Sequence, residues 1–171
     1  DSLFQSPLSK NKRILLTGGG GYVGCVLIKK LLEKGYFVRV LDQLIFGKEP
    51  VLGFMHHPQF DLHVGHVEDK YIVEKCLESV DTIIHLAGLS NDPSCEIDAD
   101  LTRKVNIEAT KVLIELAQTK KIKRFIYAST CSVYGFTGGA VVQEESSLDP
   151  LTSYARSKAD CEKLLVSAAT P

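Results

Sequence analysis

Between Arg13 and Gly24 the chain reads RILLTGGGGYVG: a short apolar run, four consecutive glycines and a fifth three residues on. No other segment restricts the fold as much. The apolar run, Arg13–Thr17, reads as a buried strand, and Tyr22–Glu33 reads as a helix with Val23, Leu27, Leu31 and Leu32 on one face. A strand joined to a helix through so many glycines implies a sharp turn and a group that comes very close to the backbone.

The rest of the chain repeats the strand-then-helix alternation. Gly35 ends the first helix. Strands are predicted at Phe37–Leu41, Phe60–Val64, Thr82–Leu86 and Arg124–Ser129. Helices are predicted at Val67–Leu77, opened by Glu68 and Asp69, at Leu101–Thr119, with Val105, Val112, Leu113, Leu116 and Ala117 inward, and at Ser153–Ala168. This alternation predicts an α/β fold whose parallel sheet is covered on both faces, and right-handed crossovers make it a doubly wound sheet of order 3-2-1-4-5. Irregular stretches are expected at 43–59, 90–100 and 135–152. The last two follow strands at their carboxyl ends, where such sheets bind ligands.

Composition narrows the setting. A chain of 171 residues suffices for one domain with a proper core. A net charge of -1 gives no footprint for nucleic acid or an anionic membrane, and the KKIKR cluster at Lys120–Arg124 reads as a solvated helix end. Five widely spaced cysteines, an odd number without a C-x-x-C, argue for free thiols and against a disulfide framework or zinc knuckle. His56, His57 and His85 read as loop and core residues, so no metal site is expected. Residues 1–12 are polar and lack a signal-peptide core, and no apolar run reaches bilayer-spanning length. The expectation is a cytoplasmic protein with a flexible segment 1–12 ahead of a domain at 13–171.

The glycine turn carries a specific chemistry. Gly19, Gly21 and Gly24 fit G-x-G-x-x-G, while Thr17, Gly18, Gly21 and Gly24 fit T-G-x-x-G-x-x-G. Either register makes a pyrophosphate cradle, with the helix N-terminus supplying free N–H groups and a positive dipole end. Asp42, closing the second strand in VRVLDQ, can accept hydrogen bonds from ribose hydroxyls and would repel a 2′-phosphate, which favours NAD over NADP. Its alternative reading is a turn residue after a strand. In SYARSK, Tyr154 and Lys158 stand four apart on one helix face. A lysine ammonium near a phenol lowers its pKa from roughly 10, which suits Tyr154 to general acid/base work beside a nicotinamide. The alternative is an amphipathic helix surface. YASTCSVYG adds hydroxyls at Ser129, Thr130 and Ser132, alternatively a polar loop.

Taken in order, LLTGGGGYVG, VLD, IIHLAG, VNIEAT, RFIYASTCSVYG and LDPLTSYARSK resemble the NAD-dependent nucleotide-sugar epimerase/dehydratase family, the extended branch of the short-chain dehydrogenase/reductases, from about Lys12 onward. The resemblance implies a Rossmann fold with NAD held by Gly18, Gly21, Tyr22, Val23, Gly24, Asp42, His66, Val67, Leu86, Ala87 and Gly88, and with Asn106 near the nicotinamide half. It implies Thr130 as the bridge between substrate hydroxyl and tyrosine, Tyr154 as acid/base, and Lys158 on the nicotinamide ribose. Family members transiently oxidise a hydroxyl of a nucleotide sugar. Two departures matter: His66 stands where the family carries an acid facing adenine, and Cys131–Ser132 stands where 4,6-dehydratases carry Asp-Glu. The second favours an epimerase; a reductase of the same family and a non-catalytic NAD-binding protein are the alternatives. The resemblance also implies a C-terminal substrate domain, which this chain is expected to lack, and a homodimer through helices 101–119 and 153–168.

Overall fold

Side chains along a strand point alternately to opposite faces. In β1 (Arg13–Thr17) Ile14, Leu15 and Leu16 are all fully buried, so both faces of the sheet need cover. The computed structural model describes residues 12–90 and 92–169, for 92–94 the backbone alone. After β1 come α1 (Tyr22–Glu33), β2 (Phe37–Asp42), α2 (Glu49–Leu52), β3 (Phe60–Val64), α3 (Lys70–Cys76), β4 (Thr82–His85), α4 (Asp92–Ile97), α5 (Ala99–Thr102), α6 (Ala109–Thr119), β5 (Arg124–Tyr127) and α7 (Ser153–Ala168). All paired strands are parallel, in the order β3-β2-β1-β4-β5 that the sequence predicts. Leu15, Leu41 and Ile83 pack against residues of α3 and α6, including Val73, Leu113 and Leu116. On the other face Ile14, Leu16, Val38 and Val40 meet Ile28, Leu31 and Leu32 of α1.

Several expected boundaries move. The third helix begins at Lys70 rather than Val67, because Asp69 is its cap and accepts the N–H groups of Tyr71 at 3.0 Å and Ile72 at 3.2 Å. Strands β4 and β5 stop at His85 and Tyr127, short of the expected Leu86 and Ser129, where the chain leaves the ladder for the site loops. Helical turns occupy part of the expected irregular stretches, α2 within 43–59 and α4 within 90–100. The predicted helix over 101–119 is composite. Between α5 and α6 lies a π-helical segment, Arg103–Glu108, flanked by Thr102 and Ala109 in helical backbone conformation. Val105 and Val112 are only half-buried, while Leu113, Leu116 and Ala117 face inward as expected. Val23 is 61% exposed, against its expected inward position, because the first turn of α1 rises beyond the strand ends. The expected flexible segment lies outside the described residues except for Lys12, as do the last two residues of the expected domain. Among the described residues no helix is long and apolar enough to cross a membrane.

One charged residue sits inside the β2 ladder. Arg39 is 8% exposed and donates to the carbonyls of Cys76 at 3.0 Å and Glu78 at 3.1 Å, satisfying the end of α3, and to Asp61 Oδ2 at 2.8 Å. Burial acts to raise the Asp61 carboxyl, but the Arg39 hydrogen bond and the nearby His63 outweigh it and hold the carboxyl below its ordinary 3.8. A carboxyl with a lowered folded pKa contributes stability that is complete above its unfolded value and lost as pH falls through the folded one. Urea unfolding from about pH 5 to about pH 3 should therefore show a loss of stability that is smaller in Asp61→Asn. An identical loss in the variant would contradict the account.

Candidate active site

The ladder registers bring the site together. Thr17 is level with Leu41 and with His85, and His85 is level with Tyr127. The segments that follow, the glycine turn, Leu86–Gly88 and Ala128–Thr130, therefore emerge side by side at the carboxyl edge of the sheet. Gly65 joins them through its N–H bond to the Asp42 carbonyl at 2.9 Å, which brings His66 and Val67 to the same edge.

The glycine turn owes its shape to missing side chains. Gly18 has φ +74°, and a Cβ there would stand 2.6 Å from the Ala87 nitrogen. A Cβ on Gly24 would stand 2.6 Å from Gly19 Cα, so α1 can close on the glycine turn only without one. Gly21 caps α1 without a side-chain bond, leaving the first N–H groups of the helix, at exposed Tyr22 and Val23, available to an anion. Asp42 bridges the turn to the end of β2: its Oδ2 accepts Gly20 N–H at 2.8 Å and its Oδ1 accepts Leu44 N–H at 2.7 Å. A carboxylate has about four acceptor positions, so capacity for hydroxyl donors is left. His66 is exposed with Nδ1 3.5 Å from Glu68 Oε1, Val67 is buried, and Glu68 Oε2 is buried without a hydrogen bond in the described structure. The Cβ-free cradle, the uncapped helix start and this orphaned acceptor fit a dinucleotide.

On the other side of β1, a Cβ on Gly88 would meet Asn106 Oδ1 at 2.8 Å. Asn106 is 3% exposed, carried by the π-helical segment. Its Oδ1 accepts Leu89 N–H at 2.8 Å, and its Nδ2 donates to Leu89 O and Ser157 Oγ, each at 3.1 Å. The side chain is thus spent on pinning the loop after β4 to α7.

Thr130 caps a short helical turn at Cys131–Tyr134 by accepting Ser132 N–H at 3.2 Å. Lys158, 6% exposed, donates from Nζ to Ala128 O at 2.8 Å, just before Thr130 in the chain. The same ammonium lies 4.6 Å from the Tyr127 ring centroid and 5.8 Å from that of Tyr154. Burial lowers the Lys158 pKa, and burial also pushes the Tyr127 phenol well up, so Tyr127 stays protonated. The structure therefore gathers Thr130, Tyr154 and Lys158 at one end of β5 and joins them through Asn106 and Ser157 to the strip after β4. Tyr127, Ser157 and the π-helical segment were not singled out from sequence. Strand alternation through RFIY and the position of Ser157 inside SYARSK were the available signals.

Comparison with known proteins identifies the family and agrees with the fold. Residues 14–170 match the model of the NAD dependent epimerase/dehydratase family. The chain is similar to a UDP-N-acetylglucosamine 4-epimerase from Methanobrevibacter ruminantium M1, at 29% identity and TM-score 0.86, covering 92% of this chain and 50% of that one. It is similar to a dTDP-glucose 4,6-dehydratase from Streptomyces venezuelae solved with NAD, at 28% identity and TM-score 0.86, covering 91% and 51%. A UDP-glucose 4-epimerase of Lactobacillus helveticus is 26% identical over 155 residues, 90% of this chain and 46% of that protein. The chain spans between 35% and 50% of the length of three curated relatives it matches.

The buried ammonium has a consequence for stability. A lysine whose folded pKa is lowered below its ordinary 10.5 is destabilising when charged at neutral pH. Lys158→Met keeps the buried stem and removes the charge, so its thermal midpoint at pH 7 should equal or exceed that of the parent. A clear fall in the midpoint would contradict the account.

Proposed function

The chain belongs to the NAD dependent epimerase/dehydratase family, and from that premise we propose that it is the NAD-binding part of a nucleotide-sugar epimerase with Tyr154 as its acid/base. The observation that carries this reading is the meeting, at one sheet edge, of a Cβ-free turn and a buried Lys158 5.8 Å from the Tyr154 ring. Gly18, Gly21 and Gly24 leave room for a pyrophosphate against the N–H groups of Tyr22 and Val23. Asp42 accepts the ribose hydroxyls and disfavours a 2′-phosphate. His66, Val67 and the Glu68 Oε2 that lacks a hydrogen bond lie on the adenine side, and Leu86, Ala87 and Gly88 line the middle of the dinucleotide. Asn106 keeps the nicotinamide side in place through Leu89.

Bound NAD supplies the hydride acceptor and donor. Tyr154 removes the proton from a sugar hydroxyl and returns it, and the Lys158 ammonium stabilises the negative charge on the phenol in a site shielded from water. Thr130 Oγ1, which donates to Ser132 Oγ at 3.2 Å, is the hydroxyl that orients the substrate oxygen toward Tyr154. Cys131 and Ser132 offer no carboxylic acid and base for elimination, which favours epimerisation over dehydration. The homodimer would form along the groove that Arg103, Ile107 and Lys111 line opposite Asp160, Lys163 and Leu164. Five unpaired cysteines suit a cytoplasmic setting.

UDP-hexoses are the first substrates to test. Expected of the whole enzyme that carries this part is interconversion of UDP-glucose and UDP-galactose at catalytic NAD without net NADH formation, with kcat lowered about a hundredfold or more in Tyr154→Phe. Full turnover in that variant would overturn the role of Tyr154, and stoichiometric NADH consumption would identify a reductase.

A further inference from the structure

Beneath the sheet edge runs a line of buried polar groups, of which Thr17, His85 and Thr110 have no part in the proposed chemistry. Thr17 and Thr110 have no exposed surface, His85 is 1% exposed and Asn106 3%. Thr17 Oγ1 lies 2.6 Å from His85 Nδ1, and His85 Nε2 lies 3.0 Å from Thr110 Oγ1. Thr110 Oγ1 donates to the Asn106 carbonyl at 2.5 Å, which also accepts the Cys161 thiol at 3.4 Å. At the other end Ala87 N–H donates to Thr17 Oγ1 at 3.4 Å.

The directions follow from counting protons. Thr110 has one hydroxyl proton and gives it to Asn106 O, so toward His85 it is an acceptor and Nε2 must carry the imidazole proton. Nδ1 is then a lone pair, and Thr17 must donate to it while accepting from Ala87. Reversing any bond would set two donors or two acceptors against each other in a buried site.

We propose that His85 is a positioning residue: with its proton fixed on Nε2, it ties the Leu86–Gly88 strip at the end of β4 to the π-helical turn that carries Asn106, and so sets the register between that strip and α7. The line begins at Ala87, in the strip that faces the site. It ends on the carbonyl of the residue whose side chain grips both Leu89 and Ser157. An apolar residue at 85 could fill the volume but could not hold two hydroxyls at fixed directions. The π-helical turn needs such outside support, because its hydrogen-bond pattern is rarely favoured over the α-helix. Burial, aided by the Lys158 charge from α7, lowers the His85 pKa to about 3, so the imidazole stays neutral. The other elements packed on the ring present uncharged groups: Tyr127 and Phe125 from β5, Thr17 from β1 and Thr110 from α6.

The test has two arms, of which only the second rests on the reading of the preceding subsection. In long-range proton–nitrogen NMR spectra of the cofactor-free chain, His85 should show the Nε2–H tautomer and no titration between about pH 5 and 9. Thr110→Val should shift the Asn106 side-chain amide resonances and weaken NAD binding about tenfold, and Thr110→Ser should restore both. The Nδ1–H tautomer, titration near the ordinary 6.5, or a folded Thr110→Val chain that binds NAD as the parent does would overturn the proposal. If the parent itself fails to bind NAD, the function proposed above fails. The tautomer and the amide shifts then decide the role of His85 alone.

Discussion

The contact between Gly18 and the backbone of Leu86 and Ala87 sets the geometry on which the rest of the site depends. Two neighbouring parallel strands end level with one another, and the chains leaving them stay in backbone contact because Gly18 has no Cβ. The Thr17 hydroxyl reinforces the contact by accepting the Ala87 N–H. From this crossing the turn swings over to Asp42 on one side, and the strip after β4 runs under Asn106 on the other. A side chain at 18 would push the turn off the Leu86–Ala87 strip, and one at 24 would push it off α1, so the turn could not keep its place at this edge.

Burial then divides the labour among groups that share this edge. His85 is held neutral and serves as a fixed donor and acceptor. Lys158 is forced to keep its ammonium among aromatic rings and a carbonyl rather than beside a carboxylate. Tyr127, which touches both, is held protonated by the same loss of water. In a low-dielectric surrounding a charge so placed also acts on the Tyr154 phenol, whose ring centroid lies 5.8 Å from it. The fold carries that charge at a cost in stability.

Much of this was legible in the chain itself. The bounds of β1, α1, β3 and α7 agree with the periodicity of their apolar residues, because each is a local pattern with clear breaks. Strand order followed from alternation and the handedness of crossovers. Gly18, Gly24, Asp42, Tyr154 and Lys158 can be put forward from sequence because they stand in short, ordered spacings. The joints between them cannot. His85 with Thr110, Lys158 with Ala128 and Asn106 with Ser157 are separated by 25, 30 and 51 residues, and no local pattern marks such pairs. The π-helical turn was equally hidden, since its residues have ordinary helix propensities and its register is imposed by packing. Val23 fits the apolar stripe of α1, yet the sheet does not reach beneath it.

The central claim is that the turn and Asp42 together form a seat for NAD. Calorimetric titration of the folded chain with NAD and with NADP, in the parent and in Asp42→Ala, tests it most directly. The account predicts that NAD binds at least about tenfold more tightly than NADP in the parent, and that the difference collapses in the variant. Equal affinity for the two in the parent, or no binding of either by a chain shown to be folded, would contradict it.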